Sequence, residues 1–292
     1  MGMRTIIVCL AICVVLLAGC GGSKTPGLAV VAAENVYGDI AQQIGGVHVH
    51  VTSILSDPNA DPHLFEPGSS NGLAVATARV VIQNGVGYDS FMTKLENASP
   101  SAKRSVLTIA DVLGVHGRDA NPHLWYDVPA LGRIGAAIAQ QLERADPAHA
   151  AAYRDGLSRF AASLGPLRRE VARIRASFPG ATVAYTEPVP GYLLDAAGLV
   201  NLAPDAFTRA IEEGTEPTPQ AVAAMNALIA QRRIKVLLYN SQAVSPITSH
   251  VRDAAAHAGI PVVGVTETLP PKLTFQQWQL GQARELAAAL AR

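Results

Sequence analysis

The chain has 292 residues, with 23 Lys and Arg against 23 Asp and Glu, so its formal charge is zero. That balance removes any electrostatic case for nucleic acid or for a basic membrane-binding surface, and the length allows two domains with substantial cores. The three cysteines are Cys9, Cys13 and Cys20; the rest of the chain therefore has no disulfides and no thiolate ligands, and a metal site must be built from His, Asp and Glu.

Arg4 gives the chain a short positive start, and Ile6 to Leu17 is an apolar run too short to span a bilayer as a helix. It ends in Leu17-Ala18-Gly19-Cys20, which resembles the bacterial lipoprotein box. Residues 1–19 thus read as a lipoprotein signal peptide and Cys20 as a lipidated mature N-terminus, anchored in membrane lipid at the outer face of the cell membrane. An uncleaved anchor or a plain secretory signal is the competing reading. Residues 20–27, rich in Gly, Ser and Pro, form a tether.

Beyond the tether, short apolar stretches alternate with longer helical patterns, which predicts an α/β fold with parallel sheets. Residues 28–145 form a first α/β domain, with strands over Leu28 to Ala33, Val47 to Leu55, Val80 to Gln83 and Val106 to Ile109. Helices are expected at Tyr37 to Ile44, Ser70 to Ala78 and Ser90 to Asn97. Residues 146–179 read as one long helix. Asp146-Pro147 is a helix start, Leu157, Phe160, Leu164, Leu167, Val171 and Ile174 recur at helical spacing, and Phe178-Pro179-Gly180 stops the run. Gly165-Pro166 should kink it. A helix of about 30 residues spans about 45 Å and would hold two domains in a nearly fixed relation. Residues 180–292 repeat the first scheme, with strands at Thr182 to Tyr185, Leu199 to Leu202, Val236 to Tyr239 and Val262 to Val265. Their helices lie near Pro219 to Gln231, Ile247 to Ala258 and Phe275 to Leu290. The expected architecture is two similar parallel-sheet (β/α)4-type domains joined by one long rigid helix.

Two short segments carry the chemistry. Asp61-Pro62-His63 and Asn121-Pro122-His123 each place an imidazole after a turn-forming residue and a proline, in nearly the same context, DPHLFEP and NPHLWYD. His63 follows the second strand and His123 the fourth, so both belong to the rim of the sheet where α/β folds carry function. In the second half, Glu187 in Thr186-Glu187-Pro188 and Glu267 in Thr266-Glu267-Thr268 leave the sheet at matching positions. Two histidines opposite two glutamates make a candidate metal site.

These segments resemble those of the bacterial metal-binding lipoproteins that deliver zinc or manganese to ABC permeases. The resemblance runs over essentially the whole mature chain, through DPHLFEPGSSNGLAVATARVVIQNGVGYDSFM, NPHLWYDVP, EPVPGYLLDAAGL and GIPVVGVTETL. Carried over position by position, it implies His63, His123, Glu187 and Glu267 as the metal ligands. Glutamate at the third position leans toward the manganese-uptake members. At the fourth the family usually has aspartate, and Glu267 departs from it. The loop ahead of the second histidine is only Val115 to Ala120, without a His-rich insertion.

Two neutral imidazoles and two carboxylates form a neutral shell for a divalent ion, which limits the cost of holding its charge in a cleft. Ligand hardness favours manganese, while the affinity order places zinc above it, so Zn2+ is the favoured cargo and Mn2+ the alternative. Glu66 and Asp127, near their histidines in sequence, are candidates for orienting them, and Phe65, Trp125 and Tyr126 for walling the cleft. The function implied is that of a monomeric extracytoplasmic solute-binding lipoprotein delivering metal to an ABC importer, not an enzyme. A metal-dependent surface adhesin or structural lipoprotein, or a zinc hydrolase, are the alternatives; no HExxH motif supports the last.

Overall fold

The computed structural model describes residues 27–117 and 119–292. The leader and Cys20, with the lipid attachment read there, lie outside the described residues. Among these residues no helix is long and apolar enough to cross a membrane.

The first half runs β1 (Leu28–Glu34), α1 (Asn35–Gly45), β2 (Val49–Leu55), α2 (Ser69–Thr77), β3 (Val80–Gln83), α3 (Phe91–Ala98), β4 (Ser105–Thr108), α4 (Ile109–Leu113) and α5 (Leu131–Ala145). Helices α6 (Ala150–Ser163) and α7 (Gly165–Ser177) follow. The second half runs β5 (Thr182–Tyr185), α8 (Gly191–Ala196), β6 (Val200–Asn201), α9 (Asp205–Glu212), α10 (Pro219–Ala230), β7 (Val236–Asn240), α11 (Pro246–His257), β8 (Val262–Val265) and α12 (Phe275–Leu290).

Each half contains one four-stranded parallel sheet, in the orders β2-β1-β3-β4 and β6-β5-β7-β8. The orders are equivalent, so the second half repeats the topology of the first. Strand β7 is buried along its whole length and β1 along its last five residues, as their runs of Val, Leu and Ala require when helices cover both faces of a parallel sheet. In each sheet the order reverses beside the first strand, β1 or β5. A crevice opens there at the carboxyl edge, and the loops after β2, β3 and β4 of one sheet face those after β5, β7 and β8 of the other.

The joining segment differs in detail from a single helix. Pro147–His149 is a 3-10 turn, and α6 and α7 are separated at Leu164, whose ψ of −11° lies off the helical value. Pro166, lacking an N–H, cannot donate to the turn before it, so the ladder is interrupted just ahead of Gly165-Pro166. Leu164 stays in the right-handed region and is fully buried. Asp146 does not cap through its side chain; its carboxylate accepts from Tyr153 Oη at 2.7 Å and lies 2.6 Å from His149 Nδ1.

The halves share one core. A single apolar cluster runs from Val30, Tyr37 and Ile40 through Trp125 and Tyr126, along Leu164, Leu167 and Ile174, to Val236, Phe275, Trp278 and Leu286. Helix α12, begun by a capping box of Thr274 and Gln277, supplies much of it. Burial of Phe275 alone contributes about 1.5–3 kcal/mol. Polar bonds join the same surfaces: Asn35 and Leu269 bond reciprocally at 2.8 and 2.9 Å, and Phe275 N donates to Asp39 at 2.9 Å.

Candidate metal centre

The two Pro-His segments adopt the same local geometry. Asp61 Oδ1 accepts the amide of His63 at 2.9 Å, and Asn121 Oδ1 accepts the amide of His123 at 3.0 Å. In each case an Asx side chain closes the turn around the proline and aims the following residue. The second turn is held further. Asn84, at the end of β3, donates through Nδ2 to Pro122 O at 2.8 Å, and its own Oδ1 accepts from the buried Tyr37 hydroxyl at 2.6 Å.

Four side chains from the two halves meet at the crevice. His63 Nε2 lies 3.0 Å from Glu187 Oε1 and 3.6 Å from Glu267 Oε2, while His123 Nε2 lies 3.1 Å from the same Glu267 oxygen. His123, Glu187 and Glu267 are at most 1% exposed, whereas His63 is 16% exposed and faces the opening. The cleft outside them has a volume of about 980 Å³ and is lined by His63, Tyr88, Tyr185 and Tyr192 among others.

Three of the four side chains, His123, Glu187 and Glu267, are oriented by neighbours. Asn121 Nδ2 donates to Pro188 O across the crevice at 2.7 Å, so its Oδ1 is left as acceptor and lies 2.8 Å from His123 Nδ1. That assigns the proton of neutral His123 to Nδ1 and leaves the Nε2 lone pair directed at the centre. Asn240, the last residue of β7, donates from Nδ2 to both Glu187 Oε2 and Glu267 Oε1, the latter at 2.7 Å. One amide thus turns the other oxygen of each carboxylate inward. Tyr88 donates to Glu267 Oε2 at 2.8 Å, and its ring stands edge-on to both imidazoles at 5.8 and 5.6 Å. The loop carrying it contains Gly85 and Gly87 at φ 86° and 82° flanking Val86 at φ 55°, a left-handed run that glycine makes accessible. Gln242 accepts the amides of Glu267 and Thr268 at 2.6 and 3.1 Å, fixing the last loop.

No hydrogen bond joins Glu66 or Asp127 to either histidine among the described residues. Glu66 is exposed at the rim of the cleft, and Asp127 accepts the amide of Ala130 at 3.2 Å in the turn ahead of α5. Asn121, already the turn residue, takes the place expected of Asp127. Phe65 lines the cleft and packs on Phe91. Trp125 and Tyr126 are instead buried behind the site, where Tyr126 Oη donates to Thr266 O at 2.6 Å and Trp125 packs on His123.

One residue at the centre escapes sequence reading. Glu212, the last residue of α9, brings Oε2 to 3.9 Å from His123 Nε2, and donor atoms of His63, Glu187 and Glu212 all lie within 4.8 Å of one another. The only sequence signal is the acidic Glu212-Glu213 pair ahead of a glycine, which equally describes a solvated helix end.

The electrostatics of the cluster are those of closely packed, mutually charged groups. His63 Nε2, Glu187 Oε1 and Glu212 Oε2 are buried with no hydrogen-bond partner, an arrangement that is costly unless something electropositive sits between them. Burial pushes the His63 imidazole down, but the adjacent Glu187 and the charges of Glu267 and Glu212 outweigh it and lift its pKa to about 10. His123 is raised likewise, with burial opposed by Glu212 and Glu267. Burial works against ionisation of Glu267, yet His123, His63 and the Tyr88 hydroxyl hold its carboxyl down at about 2. The two imidazoles and the Glu267 carboxylate thus favour each other's charged forms.

The sequence from residue 30 to 289 matches the model of the family described as zinc-uptake complex component A, periplasmic. The chain belongs to this family. Among curated relatives, the manganese-binding lipoprotein MntA of Bacillus subtilis is 29% identical over 174 residues, covering 54% of this chain and 56% of its own. The chain thus spans about half the length of that relative. The metal ABC transporter substrate-binding lipoprotein SloC of Streptococcus mutans is 24% identical over 278 residues, or 89% of this chain and 88% of SloC. In three dimensions the chain is similar to the periplasmic zinc-binding protein TroA of Treponema pallidum, with a TM-score of 0.79 at 20% identity, covering 91% of this chain and 100% of TroA. That likeness establishes the fold: two parallel sheets with helices on both faces, joined by a long helical segment.

Proposed function

We propose that the protein is an extracytoplasmic solute-binding component of an ABC uptake system, which captures one divalent transition metal ion in the crevice and hands it to the importer. His63, His123, Glu187 and Glu267 hold the ion as cargo, two from each half. Lipid on Cys20 keeps the protein at the outer face of the cell membrane. The observation that carries this reading is the convergence of donor atoms from the two halves: His63 Nε2 lies 3.0 Å from Glu187 Oε1, and His63, His123 and Glu267 offer donor atoms within 4.8 Å of one another. A divalent ion among these four groups replaces the imidazole protons as the partner of the carboxylates and takes the freed lone pairs as ligands.

Binding exchanges protons for metal. The ion takes the lone pairs of both imidazoles, and two carboxylates neutralise its charge, so the filled four-residue site carries no net charge in a buried setting. No side chain at the centre is arranged as nucleophile and base, and the ligands come from both halves, which suits capture and transfer rather than turnover. On the affinity order zinc binds more tightly than manganese.

Calorimetric titration of metal-stripped protein with zinc tests the assignment. The expected result is one ion per chain, with affinity reduced at least about 100-fold in His63→Ala/His123→Ala. Unchanged stoichiometry and affinity in that variant would discard the site. Growth under chelation separates uptake from adhesion, because removing the four ligands should impair growth there only if the protein supplies metal to the cell.

A further inference from the structure

We propose that Glu212 is a fifth metal ligand, and that it adapts the site to ions that take more than four donors. The inference rests on the four-residue reading above and concerns what the rest of the coordination shell contains.

Position argues first. Glu212 Oε2 is buried, has no hydrogen-bond partner, and lies 3.9 Å from His123 Nε2. Glu187, fully buried, directs its own unpartnered Oε1 into the same group, and donor atoms of His63, Glu187 and Glu212 fall within 4.8 Å of one another. Ligand atoms on one ion, each at about 2.0–2.6 Å from it, are separated by at most about twice that distance. The three side chains therefore fit around a single ion, with His123 and Glu267 completing the shell.

Apart from the imidazoles of the cluster, the fold offers no partner for this carboxylate among the described residues. Glu212 ends α9, where the helix presents its carbonyl groups and a negative side chain is disfavoured. Its neighbour Glu213 stays exposed, so the chain at this point can leave an acid in water. Arg209, one turn earlier, pairs with Asp119. Among the described residues Glu212 lies within ion-pair distance of His123 alone. An acid held beside the Glu187 and Glu267 carboxylates without a fixed cation is repelled; a divalent ion reverses the sign of that interaction.

The added oxygen has a chemical consequence. Zinc is satisfied by four donors in a tetrahedron, whereas manganese prefers more oxygen ligands. A set of two imidazoles and three carboxylates narrows the advantage of zinc over manganese relative to a four-residue shell, and it leaves the filled site with one negative charge.

The test uses metal-stripped full-length protein in detergent, titrated separately with Mn2+, Zn2+ and Co2+. Glu212→Gln keeps the shape and removes the charge, Glu212→Asp withdraws the oxygen, and Glu213→Gln is the control. Expected is a loss of manganese affinity of about tenfold or more in both Glu212 variants, with a smaller loss for zinc and none in the control. The visible spectrum of bound Co2+ should also gain intensity in Glu212→Gln, as a five-donor environment becomes tetrahedral. Unchanged Mn2+ and Zn2+ affinities and an unchanged Co2+ spectrum, in a protein whose binding is still abolished by His63→Ala/His123→Ala, would overturn the role of Glu212 and leave the four-residue site standing. Binding insensitive to both sets of substitutions would overturn both.

Discussion

At the candidate centre, three of the four side chains are tied to the fold through a side-chain atom. His123 is tied at Nδ1 to Asn121, and Glu187 and Glu267 are tied by one oxygen each to the same Asn240 amide. This arrangement orients donors before the ion arrives, which lowers the ordering cost of binding. It also sets the pH dependence. The folded-state pKa of His63 is about 10, above the unfolded value of about 6.5, so its protonation stabilises the metal-free protein fully below about pH 6.5, and that contribution is lost as pH rises toward 10. Glu267, depressed to about 2, contributes above about pH 4.5 and loses its contribution as pH falls through 2. Metal needs neutral imidazoles, so binding near neutral pH must expel protons from His63 and His123. Zinc affinity should therefore climb between about pH 6 and about pH 8, by up to about tenfold per pH unit for each proton released. Titration in buffers of different ionisation enthalpy measures the protons; a flat affinity with no proton release would contradict the assignment.

Among the secondary elements, close backbone approach matters as much as apolar burial. Helix α6 crosses α1 at Gly156, where an added Cβ would lie 2.1 Å from the carbonyl oxygen of Ile44. No rotamer change relieves a clash with backbone, so the helices must separate. Gly156→Ala should destabilise the protein by about 1–3 kcal/mol in urea unfolding, while zinc stoichiometry stays at one because the crossing lies at the end of α1 opposite Asn35 and Tyr37, which support the crevice. A stability within about 0.5 kcal/mol of the parent would mean that this crossing is not tight. Helix α9 works differently: Phe207 anchors it in the second core and its final residue comes within 3.9 Å of His123, so its packing sets the position of Glu212.

For the whole molecule, the two sheets are not independent lobes. The core cluster continues from β1 through α7 to α12, and Tyr88, Asn121 and Tyr126 bond directly to the second half. Unfolding should accordingly be a single transition despite two sheets. An ion bound across the crevice stabilises both halves together: at 100 times its Kd, zinc should add about 2.7 kcal/mol and raise Tm by roughly 5–10 °C. Calorimetry that resolved two transitions, only one of them moved by zinc, would refute the coupling.

The sequence by itself determined whatever depends on neighbours in the chain. Apolar runs bounded by turn residues marked the main strands, and the Asx-Pro-His turns were legible because their decisive bond, from the side chain of one residue to the amide two residues on, is local. Glu187 and Glu267 were legible as residues leaving matching strands. Helix α5 escaped the reading although Leu131, Ile134, Ile138 and Leu142 have helical spacing and are all buried; its glycines, Gly132 and Gly135, weaken the helical signal. The break at Leu164 was anticipated from Pro166, a residue effect.

Only the tertiary structure decided which groups share the ion's surroundings. Asn240, Tyr88 and Glu212 come from a strand end, a glycine-rich loop and a helix terminus, and no spacing in the chain relates them. They meet because equivalent sheets turn their carboxyl edges toward one crevice, and burial there makes each unpaired oxygen or nitrogen a demand for a cation. Local chemistry supplied the two imidazoles; packing of the halves supplied the orienting amide, the tyrosine and the third carboxylate.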